Sequence, residues 1–144
     1  MTMANKTLTA PNIGAATGTS LAVTGAITSS GGGIGYAAGA GGTVTQATSQ
    51  STGVTLNKLC GNITMVSAAL AANTSVSFTL TNSFIAAGDN LVINHISGGT
   101  VGAYYLSASA FAAGSCVITV RNLTAGSLTE APVLRFTVLK GVTA

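Results

Sequence analysis

From Val44 onward, apolar and polar residues alternate in short runs, the period of strands with one buried face. Val76, Phe78 and Leu80 share one side of the cleanest run, with Ser75, Ser77, Thr79 and Thr81 on the other. Val54, Leu56, Lys58 and Cys60 alternate with Thr55, Asn57 and Leu59, and Gly61-Asn62 reads as a turn before Ile63 and Met65. Leu91, Ile93 and His95 share a face, as do Cys116, Ile118 and Val120, and finally Leu134, Phe136 and Val138. Between 103 and 111, Tyr104 and Leu106 fall on one side and Tyr105 on the other, because successive strand side chains point to opposite faces. A short run at 44–47 brings the total to about eight strands. Breaks at Asn82-Ser83, Gly88-Asp89-Asn90, Gly98-Gly99, Gly114 and Gly126 separate them. The one helix candidate is the Ala-rich segment Val66–Ala72. β-Branched residues elsewhere disfavour helix, and there is no room for the helical crossovers of parallel βαβ units. The pattern therefore predicts an all-β protein, an antiparallel β-sandwich of the jelly-roll or a related Greek-key type.

The first forty residues read differently. Thr7–Gly14 can extend along a surface, and Ser20–Ser30 has the apolar residues for one strand, interrupted at Gly25. The segment 31–42 holds seven glycines in twelve positions. Glycine loses the most backbone entropy on ordering, so this strip is a linker or is ordered only by packing on another surface. We place an extended Gly-rich N-terminal arm at 1–42 and the β-sandwich domain at 43–144. Gly39–Asn57 is the hinge between them.

Composition sharpens the picture. Only 5% of the 144 residues are charged, against roughly 25% in an ordinary soluble domain. Thr, Ser, Ala and Gly carry the surface, so burial against a partner desolvates little charge. The net charge of +3 rests on scattered cations rather than a patch, which argues against nucleic-acid binding. No apolar run approaches the ~18 residues of a membrane helix. The N-terminus, Met1–Lys6, lacks the pattern of a Sec-type signal peptide, so synthesis in the cytoplasm is expected. Cys60 and Cys116 lack the spacing and companion ligands of a metal site and read as small buried thiols. Sequons at Asn5, Asn62, Asn73 and Asn122 carry little meaning without a signal peptide.

No catalytic set emerges. Gly33–Ala38 matches a G-x-G-x-x-A dinucleotide pattern, but no helix is predicted after it and no acid follows at the ribose distance. His95, the single histidine, lacks a nucleophile or orienting carboxylate nearby in sequence, Asp89 lying across a turn, and reads as a hydrogen-bonded residue at a core edge or interface. Asp89 and Glu130, the only acids, are expected to neutralise cations, Glu130 pairing with Arg121 or Arg135, rather than to act as a hydrolytic pair. Of Tyr104 and Tyr105, one belongs to the core and the other is a candidate interface anchor. Catalytic, cofactor-binding and metal-binding residues are thus all expected to be absent, and the chain is not expected to be an enzyme.

Gly41–Ser49, Thr52–Lys58, Gly61–Met65, Phe78–Ser83, Gly102–Tyr104 and Gly114–Asn122 together resemble small virion proteins of tailed bacteriophages and prophages, over roughly residues 20–140. These are capsid decoration (cement) proteins, or the knob modules of head and tail fibres. The resemblance implies an oligomeric β-sandwich, homodimer or homotrimer, on the outer face of an icosahedral shell. Its partners would be the major capsid protein and itself, without nucleic acid or membrane, and its location the virion exterior. It implies no active site and no cofactor. The alternative it implies is a fibre knob binding a host-surface glycan. Leu21–Ser30 resembles a fibre-shaft segment, whereas the absence of Trp offers no aromatic platform of the usual kind.

Overall fold

The computed structural model describes residues 26–141. Asn5, Lys6, Thr7–Gly14 and residues 20–25 of the first strand-like run lie outside them. Residues 26–34 belong to one compact unit and residues 35–141 to a second. In the first unit, residues 26–30 carry no strand. Ser29 closes a turn there by accepting a hydrogen bond from Gly32 N at 3.1 Å.

The second unit holds ten strands: β1 (Thr43–Thr45), β2 (Val54–Thr55), β3 (Cys60–Thr64), β4 (Ala68–Leu70), β5 (Ser75–Thr81), β6 (Asn90–Ser97), β7 (Tyr104–Ala112), β8 (Ser115–Asn122), β9 (Leu128–Glu130) and β10 (Val133–Leu139). One four-stranded sheet runs β1-β3-β10-β6, a second β2-β5-β8-β7, and β4 pairs with β9. The chain crosses between the large sheets from β1 to β2, β2 to β3, β3 to β5, β5 to β6, β6 to β7 and β8 to β10, and only β7-β8 is a hairpin within one sheet. The protein is all-β and sandwich-like, with no helix among the described residues.

The core follows the period-2 pattern. Ile63, Leu134, Phe136 and Val138 of the first sheet meet Phe78, Leu80, Cys116, Ile118 and Val120 of the second in one buried cluster. Leu91 and Ile93 pack against its margin. The outward face of the second sheet is nearly all hydroxyl: Ser77 lies opposite Thr119, and Thr119 opposite Ser107.

Four sequence expectations need correction. Val66–Ala72 is not helical, because Ala68–Leu70 pair antiparallel with Leu128–Glu130. Alanine favours helix, but propensity yields to tertiary context, and Leu70 gains a buried position as a strand residue. Gly61-Asn62 is not a turn but the middle of β3, and Val54–Cys60 is not one strand. The chain leaves the second sheet after Thr55 and enters the first at Cys60. Gly61 is required by crowding: a Cβ there would lie 2.7 Å from Leu56 Cδ2 and 2.8 Å from Gly42 O. Finally, the pairing is not wholly antiparallel, since β1 runs parallel to β3 and β2 parallel to β5. A parallel pair needs a long crossover. Here the crossover from β1 to β3 is supplied by a visit to the opposite sheet rather than by a helix, a solution that strand counting does not reveal.

Residues 35–42 contain no strand, yet hydrogen bonds tie them to the rest of their unit. Tyr36 OH donates to Val138 O, Lys58 Nζ to Gly39 O at 3.1 Å, and Asn62 N to Gly42 O at 2.9 Å.

Candidate functional site

The sequence scatters the ionisable residues; the fold gathers three of them. His95 lies near the end of β6, Tyr104 begins β7, and Glu130 ends β9. The tight turn 98–102 links the first two. Gly98 and Gly102 both take φ +76°, a left-handed backbone that glycine adopts without steric cost. At Gly99 a Cβ would lie 2.9 Å from Glu130 Oε2, 3.0 Å from Tyr104 Cε2 and 3.3 Å from His95 Nε2. Only a glycine lets the turn settle this closely on the three side chains.

Both carboxylate oxygens of Glu130 are engaged. Thr100 Oγ1 donates to Oε1 at 2.6 Å, while Thr100 N and Tyr104 OH donate to Oε2 at 2.9 and 2.6 Å. These bonds favour the ionised form. The Thr100 side chain, then Tyr104 and the Thr100 amide, with the nearby His95 adding a smaller effect, hold the carboxyl below its usual range against a burial contribution of opposite sign. Tyr104 moves the other way: burial, then its hydrogen bond to Glu130 and the carboxylate charge, push its phenol well above the ordinary range. The His95 and Tyr104 rings meet edge to face, centroids 5.3 Å apart at 77°. His95 Nε2 lies 2.7 Å from Ser97 O. A carbonyl can only accept, so Nε2 carries the proton.

Beside this cluster lies an open recess of about 420 Å³ lined by His95, Ile96, Ser97, Gly99, Val101 and Tyr104, among others. Val101 projects from its rim and is 95% exposed. Chemically the cluster is a clamp. Glu130 receives three donors at fixed positions and so anchors the turn to β9. His95 Nε2 is committed to a carbonyl, and among the described residues no hydroxyl or thiol is hydrogen-bonded to the ring.

The other residues singled out in the sequence fall elsewhere. Asp89 does not join this cluster. Its buried carboxylate accepts from Lys140 Nζ, Ala86 N and Gly141 N, and the Lys140 bond foremost holds its pKa down. The expected pairing of Glu130 with Arg121 or Arg135 is not found: Arg135 Nε donates to Asn62 Oδ1 instead, and Thr100 and Tyr104 occupy Glu130. A carboxylate can accept from turn amides and hydroxyls as readily as from a cation, and nothing in the local sequence joins Gly98-Gly-Thr100 to Glu130. Tyr105 stands outward, 56% exposed, in register with Arg121. Cys60 and Cys116 are free thiols, one in each large sheet. Burial pushes the Cys116 thiol up to about 11. Gly33–Ala38 precedes a turn and then β1, not a helix. Among the sequons, Asn122 is fully buried and Asn73 sits at φ +55° in a turn. Among the described residues no three His, Cys, Asp or Glu side chains converge as metal ligands, and no helix is long and apolar enough to cross a membrane.

No protein-family model, no curated protein and no solved structure matches this chain.

Proposed function

We propose that this chain is a structural virion protein of a tailed bacteriophage, a cement protein that docks on the outside of the capsid and bridges neighbouring shell subunits. The observation that carries the reading is the character of the exposed surface. Large apolar side chains stand out from it, including Phe84, Val92, Val101, Leu123 and Leu139. Little charge surrounds them: Asp89 is paired with Lys140 and Glu130 is occupied by the 98–102 turn, leaving Lys58, Arg121 and Arg135 as dispersed cations among the described residues. Such a surface can be covered at small desolvation cost. A protein that binds the assembled shell better than loose subunits shifts the equilibrium toward the intact particle. The motif resemblance to phage virion proteins supplies the particular assembly, and the committed ionisable groups agree with a role that is structural rather than enzymatic.

The strand order supports a finer reading of the fold. Strands β3-β10-β6 facing β5-β8-β7, with repeated crossings between sheets, follow a jelly-roll path shortened by two strands. The N-terminal arm is the docking element in this reading. Because residues 35–42 are hydrogen-bonded into the β unit, the informative truncation removes residues 1–34 and leaves that unit whole. The truncated protein should fold, judged by an unchanged cooperative melt, and should fail to decorate purified capsids in a co-sedimentation assay. Decoration at wild-type level by the truncated protein would defeat the arm-docking proposal.

One feature favours a second reading, a fibre knob that binds a glycan. Tyr105 is exposed beside Arg121 on a hydroxyl-rich face, an aromatic and cation pair that a sugar ring can use. Glycan-array binding lost in Tyr105→Ala would favour it over the capsid role.

A further inference from the structure

We infer that β6 is a self-pairing edge through which two copies of this chain join their first sheets into one continuous antiparallel sheet. The inference is independent of the capsid reading and rests on the sheet order and on the make-up of the edge strands. β6 ends the sheet β1-β3-β10-β6 and pairs with β10 along one side only. Its other side therefore presents a row of backbone donors and acceptors that no described residue pairs. Such an edge is a template for another extended strand, and proteins ordinarily blunt it with lysine, proline, bulges or a very short strand.

The other edges of the two large sheets are treated differently. β1 and β2 are three and two residues long. β7 is long but carries an irregularity between Ser109 and Ala112, where Ala110 takes φ +49°, which turns that end out of regular pairing. β6 has eight residues, Asn-Leu-Val-Ile-Asn-His-Ile-Ser, without a fixed charge or a proline. Its register with β10 is unbroken from Asn90 to His95, and the one shift falls beyond, at the Ile96 end.

The side chains match what a copy would bring. Leu91 and Ile93 point toward the core yet stay half-buried, as residues at an uncovered edge do. Val92 and Ile96 remain 47% and 39% exposed. A two-fold axis through Ile93 places Ile93 opposite its own copy, Leu91 opposite His95 and Val92 opposite Asn94. Every residue then faces one from the same side of the sheet, as antiparallel pairing requires. No fixed like charges meet. An acidic or basic partner strand would find no complementary charge on β6, whereas a second copy needs none.

The test is the mass of the full chain in solution, by light scattering coupled to size exclusion, with three variants. Wild type should run at twice the chain mass. Val92→Lys places a lysine from each copy beside the axis and should return the protein to monomer with its melting temperature retained. Val92→Thr, which keeps a strand-forming side chain, should remain dimeric. Tyr105→Lys, on the outward face of β7, should remain dimeric too. A monomeric or trimeric wild type overturns the inference. So does a dimer that survives Val92→Lys, or one that dissociates on Tyr105→Lys or on Val92→Thr.

Discussion

Two buried asparagines do at the ends of strands what neither the alternating pattern nor the charge count would suggest. Asn82 follows β5 and Asn122 ends β8, and both are fully buried. Asn82 Nδ2 donates to Lys58 O, and its Oδ1 accepts from Phe84 N. Asn122 Nδ2 donates to Leu70 O, Ala71 O and Gly126 O, while its Oδ1 accepts from Thr124. One side chain thus ties β8 to the margin of the β4-β9 pair. Asn122→Ala should leave those carbonyls short of donors, at about 1–3 kcal/mol for a buried group left unsatisfied. Asn122→Asp should cost more, since it turns an acceptor toward carbonyl oxygens. Urea unfolding measures both, and wild-type stability in Asn122→Asp would refute the role. The titratable residues give a pH prediction with a definite sign. Glu130 and Asp89 are held below their ordinary values of 4.5 and 3.8, so the folded state binds fewer protons than the unfolded chain. Their contribution is complete above those values and is lost as pH falls through the lowered ones. Tyr104 is raised from 10.0, and Cys116 from 9.0 to about 11, so their contribution is complete below the ordinary values and is lost as pH rises. Thermal melts across pH should therefore fall off on both sides. Glu130→Gln should flatten part of the acid limb and Tyr104→Phe part of the alkaline one. Unaltered limbs in both variants would remove the clamp's energetic role.

At the scale of elements, what the sequence revealed depended on whether a strand has one neighbour layer and a regular period. β5, β8 and β10 alternate between buried and outward positions, and Phe78, Ile118 and Phe136 reach the core from the faces their spacing assigned. β4 and β9 were illegible for a physical reason: three residues cannot display a period, and Ala68-Ala-Leu70 has no β-branched side chain. The passage from β2 to β3 was misread because alternation persists through a segment that changes sheets. The clamp was invisible because His95, Tyr104 and Glu130 converge only through the crossing from β6 to β7 and the β4-β9 pair. Its turn gives a test at this scale. A Cβ on Gly98 would lie 2.2 Å from Ala131 O, at a φ that costs a non-glycine residue roughly 1–2 kcal/mol even without the clash. Gly98→Ala should therefore displace the turn and weaken the Glu130 anchor. Gly126→Ala, where a Cβ meets open space, should be close to neutral. Equal losses in the two variants would show that the turn is not the constraint described.

For the whole molecule, the division between what holds the two sheets together and what the surface offers can be tested with one residue type. Phe136 is fully buried in β10, among residues of both sheets, and its ring approaches Gly61 of β3. Phe84 lies in the loop after β5 and is 46% exposed. Removing the buried ring takes away its transfer free energy and leaves a cavity that the packed sheets can only partly close. Phe136→Ala should cost about 3–5 kcal/mol. Against a total of roughly 5–15 kcal/mol for a domain, that is enough to lower the denaturant midpoint sharply. Phe84→Ala removes a ring already half in water, so its loss should fall nearer the ~0.5 kcal/mol expected of surface changes. The two should part in the opposite direction on capsids. Phe84→Ala should weaken decoration at unchanged fold if exposed apolar side chains form the docking surface, whereas Phe136→Ala, assayed well below its melting temperature, should decorate at wild-type level. Weak decoration by the core variant and normal decoration by the surface variant would mean that the exposed apolar residues play no part in docking.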